Sequence, residues 1–123
     1  MSALRARGGE SAFEVVDFAL GAAAGVAVRG ELELATAPEL ADALDERIRG
    51  SSGLFVIDLR SVDFLDSSGI NCLVRARALL GRDDRPLALV CPPGNVRRVL
   101  EITGIDELVA LYDSREVLER DLE

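Results

Sequence analysis

Apolar positions along this chain fall into short blocks whose spacing alternates between the strand and helix periods. Phe13 to Leu20 and Ala24 to Arg29 are runs containing Val and Phe on either side of a small-residue stretch, Gly21 to Gly25, and they predict a β-hairpin. Gly30 to Ala35 then leads into Thr36-Ala37-Pro38-Glu39. There Thr36 and Glu39 have the spacing of a capping box, and Pro38 stands in the first turn of a helix. Leu40, Ala43, Leu44 and Ile48 repeat on one face of that helix until Gly50-Ser51-Ser52-Gly53 ends it. Leu54 to Leu59 is an unbroken aliphatic run of the kind that sits mid-sheet with both faces covered. After the acidic turn that follows, a second helix opens at Ser67 and Ser68 and carries Ile70, Leu73, Val74, Arg77 and Leu80. Its stripe is widened by Cys72, Ala76 and Leu79 and closes at Gly81. Leu87 to Cys91 predicts a strand and Pro92-Pro93-Gly94 a turn. Val96, Val99 and Leu100 predict a short helix closed by Gly104, Leu108 to Leu111 a last short strand, and Asp113 with Glu116 the cap of a final helix reaching Leu122.

The resulting order, β-β-α-β-α-β-α-β-α, predicts an α/β domain. Its sheet is mixed and mostly parallel, of about five strands with an antiparallel N-terminal hairpin, and about four helices flank it. A chain of 123 residues suits one core; residues 1–11 read as a flexible tail and 12–123 as the domain. Function in such sheets collects at the carboxyl ends of strands. Two loops qualify, Gly30 to Thr36 and Arg60 to Ser68, and each leads into a helix N-terminus.

Charge narrows the partners. The net charge of −8 repels nucleic-acid backbones and anionic membrane surfaces, so direct nucleic-acid or membrane binding is not expected and a basic protein surface is. Residues 1–11 carry charge at both ends and no apolar run, and no later segment is long and apolar enough to span a bilayer, so a cytoplasmic location is expected. Cys72 and Cys91 lie in apolar contexts at a spacing that matches no metal signature. They read as small buried hydrophobes, with a redox disulfide between them as the alternative.

The chain has no histidine, which removes the usual general base, and Asp66-Ser67-Ser68-Gly69 lacks the preceding glycine of a nucleophile elbow. It has no lysine, no phosphate-binding loop built on one and no dinucleotide fingerprint. Neither catalysis nor a cofactor is therefore expected. Glu31, Glu33, Asp63 and Asp66 could gather a divalent cation if the two loops converge, although a solvated acidic rim is the commoner outcome. What remains is Ser67 and Ser68 at a helix start, where unpaired N–H groups and a partial positive charge of roughly half a unit favour oxygen ligands. Either serine can serve as an ordinary N-cap, and either presents a hydroxyl where a phosphate is tolerated.

Three segments, in order and spacing, resemble the STAS-domain anti-sigma factor antagonists of bacteria: Gly30-Glu31-Leu32-Glu33-Leu34-Ala35-Thr36-Ala37, Val56-Ile57-Asp58-Leu59 and Phe64-Leu65-Asp66-Ser67-Ser68-Gly69-Ile70. The resemblance continues through Pro92 to Ile105 and Tyr112-Asp113-Ser114. It implies a regulatory binding module that, unphosphorylated, binds an anti-sigma factor with serine kinase activity and so releases the sigma factor. It further implies phosphorylation of Ser67, the serine directly after the motif aspartate, and a serine phosphatase that reverses it. Glu31, Glu33, Asp63, Asp66, Ser68, Gly69 and Ile70 are the implied partner-binding residues. The family's first loop more often ends in Asp where this chain has Glu33, which keeps the charge on a longer side chain. Two other readings use the same fold: a STAS subunit bracing a transporter or lipid-transfer ATPase without being phosphorylated, and a small-ligand or nucleotide sensor.

Overall fold

A computed structural model describes residues 13–123, and the tail assigned to residues 1–11 lies outside them. Strands β1 (Glu14–Leu20), β2 (Ala23–Leu32), β3 (Phe55–Leu65), β4 (Leu87–Val90) and β5 (Ala110–Tyr112) form one sheet in sequential order. The first pair is antiparallel and the rest are parallel, as the element order predicts. The helices are α1 (Ala37–Arg49), α2 (Ser67–Gly81), α3 (Asn95–Ile102) and α4 (Arg115–Leu122), with a 3₁₀ turn at Ile105–Glu107. Among the described residues no helix is long and apolar enough to cross a membrane.

Alternation along the central strand sorts the helices between the two faces of the sheet. Phe55, Ile57 and Leu59 point into the larger core, where they meet Leu40, Leu44 and Ile48 of α1, Leu73, Ala76 and Leu80 of α2, and Leu100 of α3. Val56 and Val90 point the other way, into a smaller cluster closed by Leu118 of α4. The buried stripe of α2 runs through Gly69, Cys72, Leu73, Ala76 and Leu80. Val74 and Arg77, predicted on that stripe, are exposed instead, and Arg77 donates to the Leu108 carbonyl.

Several boundaries differ from the sequence reading, for local reasons. The hairpin turn is only Gly21 and Ala22, because Gly21 adopts φ 62°, which glycine reaches without strain, and Leu20 pairs directly with Ala23. Strand β5 starts at Ala110 rather than Leu108, which belongs to the end of the 3₁₀ turn. The cap of α4 is Ser114, whose hydroxyl accepts from the Val117 N–H at 3.1 Å; Asp113, predicted in that role, is paired with Arg97.

The largest difference is the length of β3. The residues after Leu59, assigned to a loop, continue as strand to Leu65. Pairing with β4 stops at Asp58, so the remainder of β3 pairs with β2 alone, through register shifts between Ala27 and Arg29 and between Gly30 and Glu31. Such bulges bend and twist a ribbon, and Gly30, at φ 108°, absorbs the distortion. The β2 and β3 ends thus extend past the four-residue β4 strand.

Candidate functional site

Residues 30–32 and 60–65 of the two predicted loops are strand, and the short turns that remain of them meet at the end of this ribbon. Leu32 pairs with Leu65, and the Asp66 N–H donates to the Leu32 carbonyl at 3.2 Å. That bond keeps Asp66 extended at φ −117°, ψ −169°, and its carboxylate turns back to accept from the N–H groups of Ser68 at 2.9 Å and Gly69 at 3.3 Å. Asp66 is therefore the N-cap of α2, and neither Ser67 nor Ser68 fills the role predicted for them. The chemistry is that of any N-cap: a side-chain oxygen satisfies orphan donors, here with a full negative charge against the helix dipole. Ser67, relieved of capping, is exposed in the first turn, and among the described residues its hydroxyl has no hydrogen-bond partner. Ser68 is half-buried.

The first loop is held by its own polar groups. The Thr36 hydroxyl donates to the Glu31 carbonyl at 2.7 Å and accepts from the Glu33 N–H at 3.0 Å. Glu33 accepts the Ala35 N–H on Oε1 at 2.9 Å, and its own carbonyl receives the Ala37 N–H at 2.8 Å. The predicted Thr36–Glu39 capping box does not form. Thr36 has helical angles already, and its hydroxyl is committed to the turn behind it. Glu33 in place of aspartate has a local role as well, because its carboxylate bonds the loop backbone.

Gly69 locks the two loops together. It is buried, and a Cβ there would lie 2.5 Å from Leu65 Cδ1, 2.7 Å from Leu32 Cγ and 3.0 Å from the Leu32 carbonyl oxygen. Gly69→Ala is expected to cost about 1–3 kcal/mol, as overpacking does, and to lower the urea midpoint. An unchanged midpoint would contradict the close approach. Ile70 is half-buried against the core, while Leu65 and Leu73 belong to it.

Glu31 and Asp63 are exposed, Glu33 and Asp66 half-buried, and among the described residues none of the four is in an ion pair. No group of three His, Cys, Asp or Glu side chains that could hold a metal ion occurs among the described residues. Arg60, three residues before Asp63 in β3, is paired with Asp58. Three features of the neighbourhood had escaped sequence reading. Leu34 is 74% exposed on the first loop, Phe64 is exposed opposite Glu31, and Asp58 is buried in the central strand, where it receives Arg60 and Arg115. An acidic residue inside an apolar central strand was the available signal for the last of these. Cys72 and Cys91 are free and buried. Burial pushes the Cys91 thiol up to about 11 and raises that of Cys72, which donates to the Ala37 carbonyl. Both therefore remain protonated and poorly nucleophilic near neutral pH.

Residues 18–110 match the family profile described as Mlab, STAS domain. An anti-sigma-B factor antagonist of Staphylococcus aureus (strain NCTC 8325 / PS 47) is 29% identical over 92 residues, covering 75% of this chain and 85% of its own length. Among solved structures, an anti-sigma factor antagonist from Mycobacterium paratuberculosis superposes with a TM-score of 0.79 at 28% identity, over 89% of this chain and 95% of that one. The Bacillus cell fate determinant SpoIIAA in its phosphorylated form shares the fold, with a TM-score of 0.64 at 17% identity over 89% of this chain and 98% of its own. With its sheet order, its converging strand-end loops and a profile match across most of its length, the chain belongs to the STAS-domain family, and its relatives include anti-sigma factor antagonists.

Proposed function

We propose that this protein is an anti-sigma factor antagonist: unphosphorylated, it binds an anti-sigma factor with serine kinase activity and frees the sigma factor, and phosphorylation of Ser67 turns it off. A serine phosphatase restores the binding form. The observation that carries the reading is the division of labour at the start of α2. Asp66 occupies the N–H groups of Ser68 and Gly69, which leaves the Ser67 hydroxyl exposed and, among the described residues, without a hydrogen-bond partner. It stands next to Asp66 and at the strand ends that carry Glu31, Glu33 and Asp63, none of which has a cationic partner among the described residues. A hydroxyl so placed is reachable by a kinase, and the acidic rim offers complementary charge to a basic partner surface. In the transfer, Ser67 Oγ bonds to the γ-phosphorus of ATP as the bond from that phosphorus to the β-phosphate oxygen breaks, ADP leaves with the electron pair, and the hydroxyl proton passes to solvent.

Incubation with ATP and each purified anti-sigma factor kinase of the source organism, followed by mass mapping, is expected to place one phosphate on Ser67 and none on Ser67→Ala. Phosphate on Ser67→Ala at wild-type extent would refute the assignment. A STAS subunit bracing an ATPase needs no acceptor hydroxyl, so a Ser67 left unmodified by every kinase favours that reading. Nucleotide that co-purifies with the protein favours the sensor.

A further inference from the structure

We infer that Leu34 is a specificity-determining contact of this protein, an apolar knob that enters a pocket with basic edges on the anti-sigma factor, and that Thr36 is the positioning residue that holds it out. The inference rests on the proposed partner binding and adds to it a residue outside the acidic rim and the start of α2.

Leu34 is 74% exposed, although its neighbours Leu32 and Ala37 are buried. Exposure of one leucine is ordinary on a protein surface; exposure at the apex of a rigid turn is less so. The residues on both sides of Leu34 are tied down by the Thr36 hydroxyl, which bridges the Glu31 carbonyl and the Glu33 N–H, and by the Glu33 carboxylate on the Ala35 N–H. The base of the turn is fastened to the start of α2 by the Asp66 N–H on the Leu32 carbonyl and by the contact of Gly69 with Leu32. The Leu34 backbone is therefore set relative to Ser67 before any partner arrives, and little loop ordering remains to oppose binding. Its immediate neighbours are Glu31 and Glu33, with Asp63 and Asp66 on the adjoining strand end, so apolar surface is bordered by negative charge. The complement of such a patch is an apolar pocket lined at its mouth by Arg or Lys, the pattern of a buried anchor inside a polar rim.

Titration calorimetry with the purified anti-sigma factor kinase that phosphorylates Ser67 tests this. Leu34→Ala is expected to weaken binding roughly 10–100-fold, the range for loss of an anchor residue, with no change in melting temperature. Ile102→Ala, which removes an equally exposed residue on α3, is expected to bind as wild type. Thr36→Val is expected to weaken binding and Thr36→Ser to restore it. Thr36→Val is also expected to add little to Leu34→Ala, since the hydroxyl acts through Leu34. Wild-type binding by Leu34→Ala, with Ser67→Asp still released, would overturn the inference and leave the antagonist reading standing. Failure of the wild-type protein to bind any such kinase would overturn both. A loss at Thr36→Val that adds in full to that of Leu34→Ala would overturn the role of Thr36.

Discussion

Ser67→Asp is expected to bind the anti-sigma factor kinase about a hundredfold more weakly than wild type, while unfolding within a few degrees of it. Fold and interface respond differently to the same charge. Within the molecule, a new anion in the first turn of α2 gains about 0.3–1 kcal/mol from the helix N-terminus. It loses a similar amount to the Asp66 carboxylate, since two charges roughly 6 Å apart in a water-like dielectric repel by about 0.7 kcal/mol. The cap is already occupied by Asp66, so the new charge stays in solvent and the two effects nearly cancel. At an interface that charge must be stripped of water or matched by a cation. A penalty of about 3 kcal/mol, which corresponds to about a hundredfold in affinity, is modest for a charged group left unpaired. A phosphate, at roughly −1.5 to −2 charges, is expected to act more strongly than aspartate, and Ser67→Ala to bind as wild type and stay bound in the presence of ATP. Calorimetric titration paired with thermal unfolding checks both halves. Wild-type affinity in Ser67→Asp would remove the electrostatic basis of the switch.

Asp58→Ala is expected to destabilise the fold by about 3 kcal/mol, the low end for removing one partner from a buried ionic group. The carboxylate is 2% exposed and accepts from the Arg60 N–H at 2.9 Å, from the Arg60 guanidinium, and from Arg115 Nε at 2.6 Å. Arg115 opens α4 and lies 3.7 Å over the Phe18 ring, so one carboxylate ties α4 to β3 and, through that ring, to β1. The cost sits at the low end because both arginines are partly exposed and can turn to water once freed. Burial alone pushes this carboxyl up, but the Arg60 backbone and the two guanidiniums outweigh it and hold it below its ordinary 3.8. A carboxyl whose pKa falls on folding stabilises the protein fully above the unfolded value, and the contribution is lost as pH falls through the lower folded value. Denaturant melts should therefore show a gap between wild type and Asp58→Asn at pH 7 that narrows below about pH 4. A gap independent of pH would mean that the pairing is not ionic.

Element order was legible because the chain is locally consistent: the spacing of Leu40, Leu44 and Ile48 fits a helix buried on one side, and the run Leu54 to Leu59, short and preceded by Gly53, fits a covered strand, which begins at Phe55. The site was legible as a place, since Asp66-Ser67-Ser68-Gly69 is a helix start by composition. Which residue does what there was not. Aspartate and serine are all good N-caps, and propensity does not choose among neighbours. The choice fell to a bond between strands, the Asp66 N–H on the Leu32 carbonyl, which holds Asp66 extended and makes it the last residue before the helix.

The same division runs through the molecule. Taken by itself, the sequence determined the mixed five-stranded architecture, the two helix starts that follow the ends of β2 and β3, the absence of histidine- and lysine-based chemistry, and the net negative charge. Each of these is set by residue type and local period. Tertiary structure decided that β3 runs on to Leu65, that Asp58 anchors α4, and that Asp66 rather than Ser67 caps α2. Those outcomes depend on bonds between segments far apart in the chain, namely the β2–β3 ladder, Arg115 on Asp58 and the Asp66 N–H on the Leu32 carbonyl, and local pattern carries no record of them.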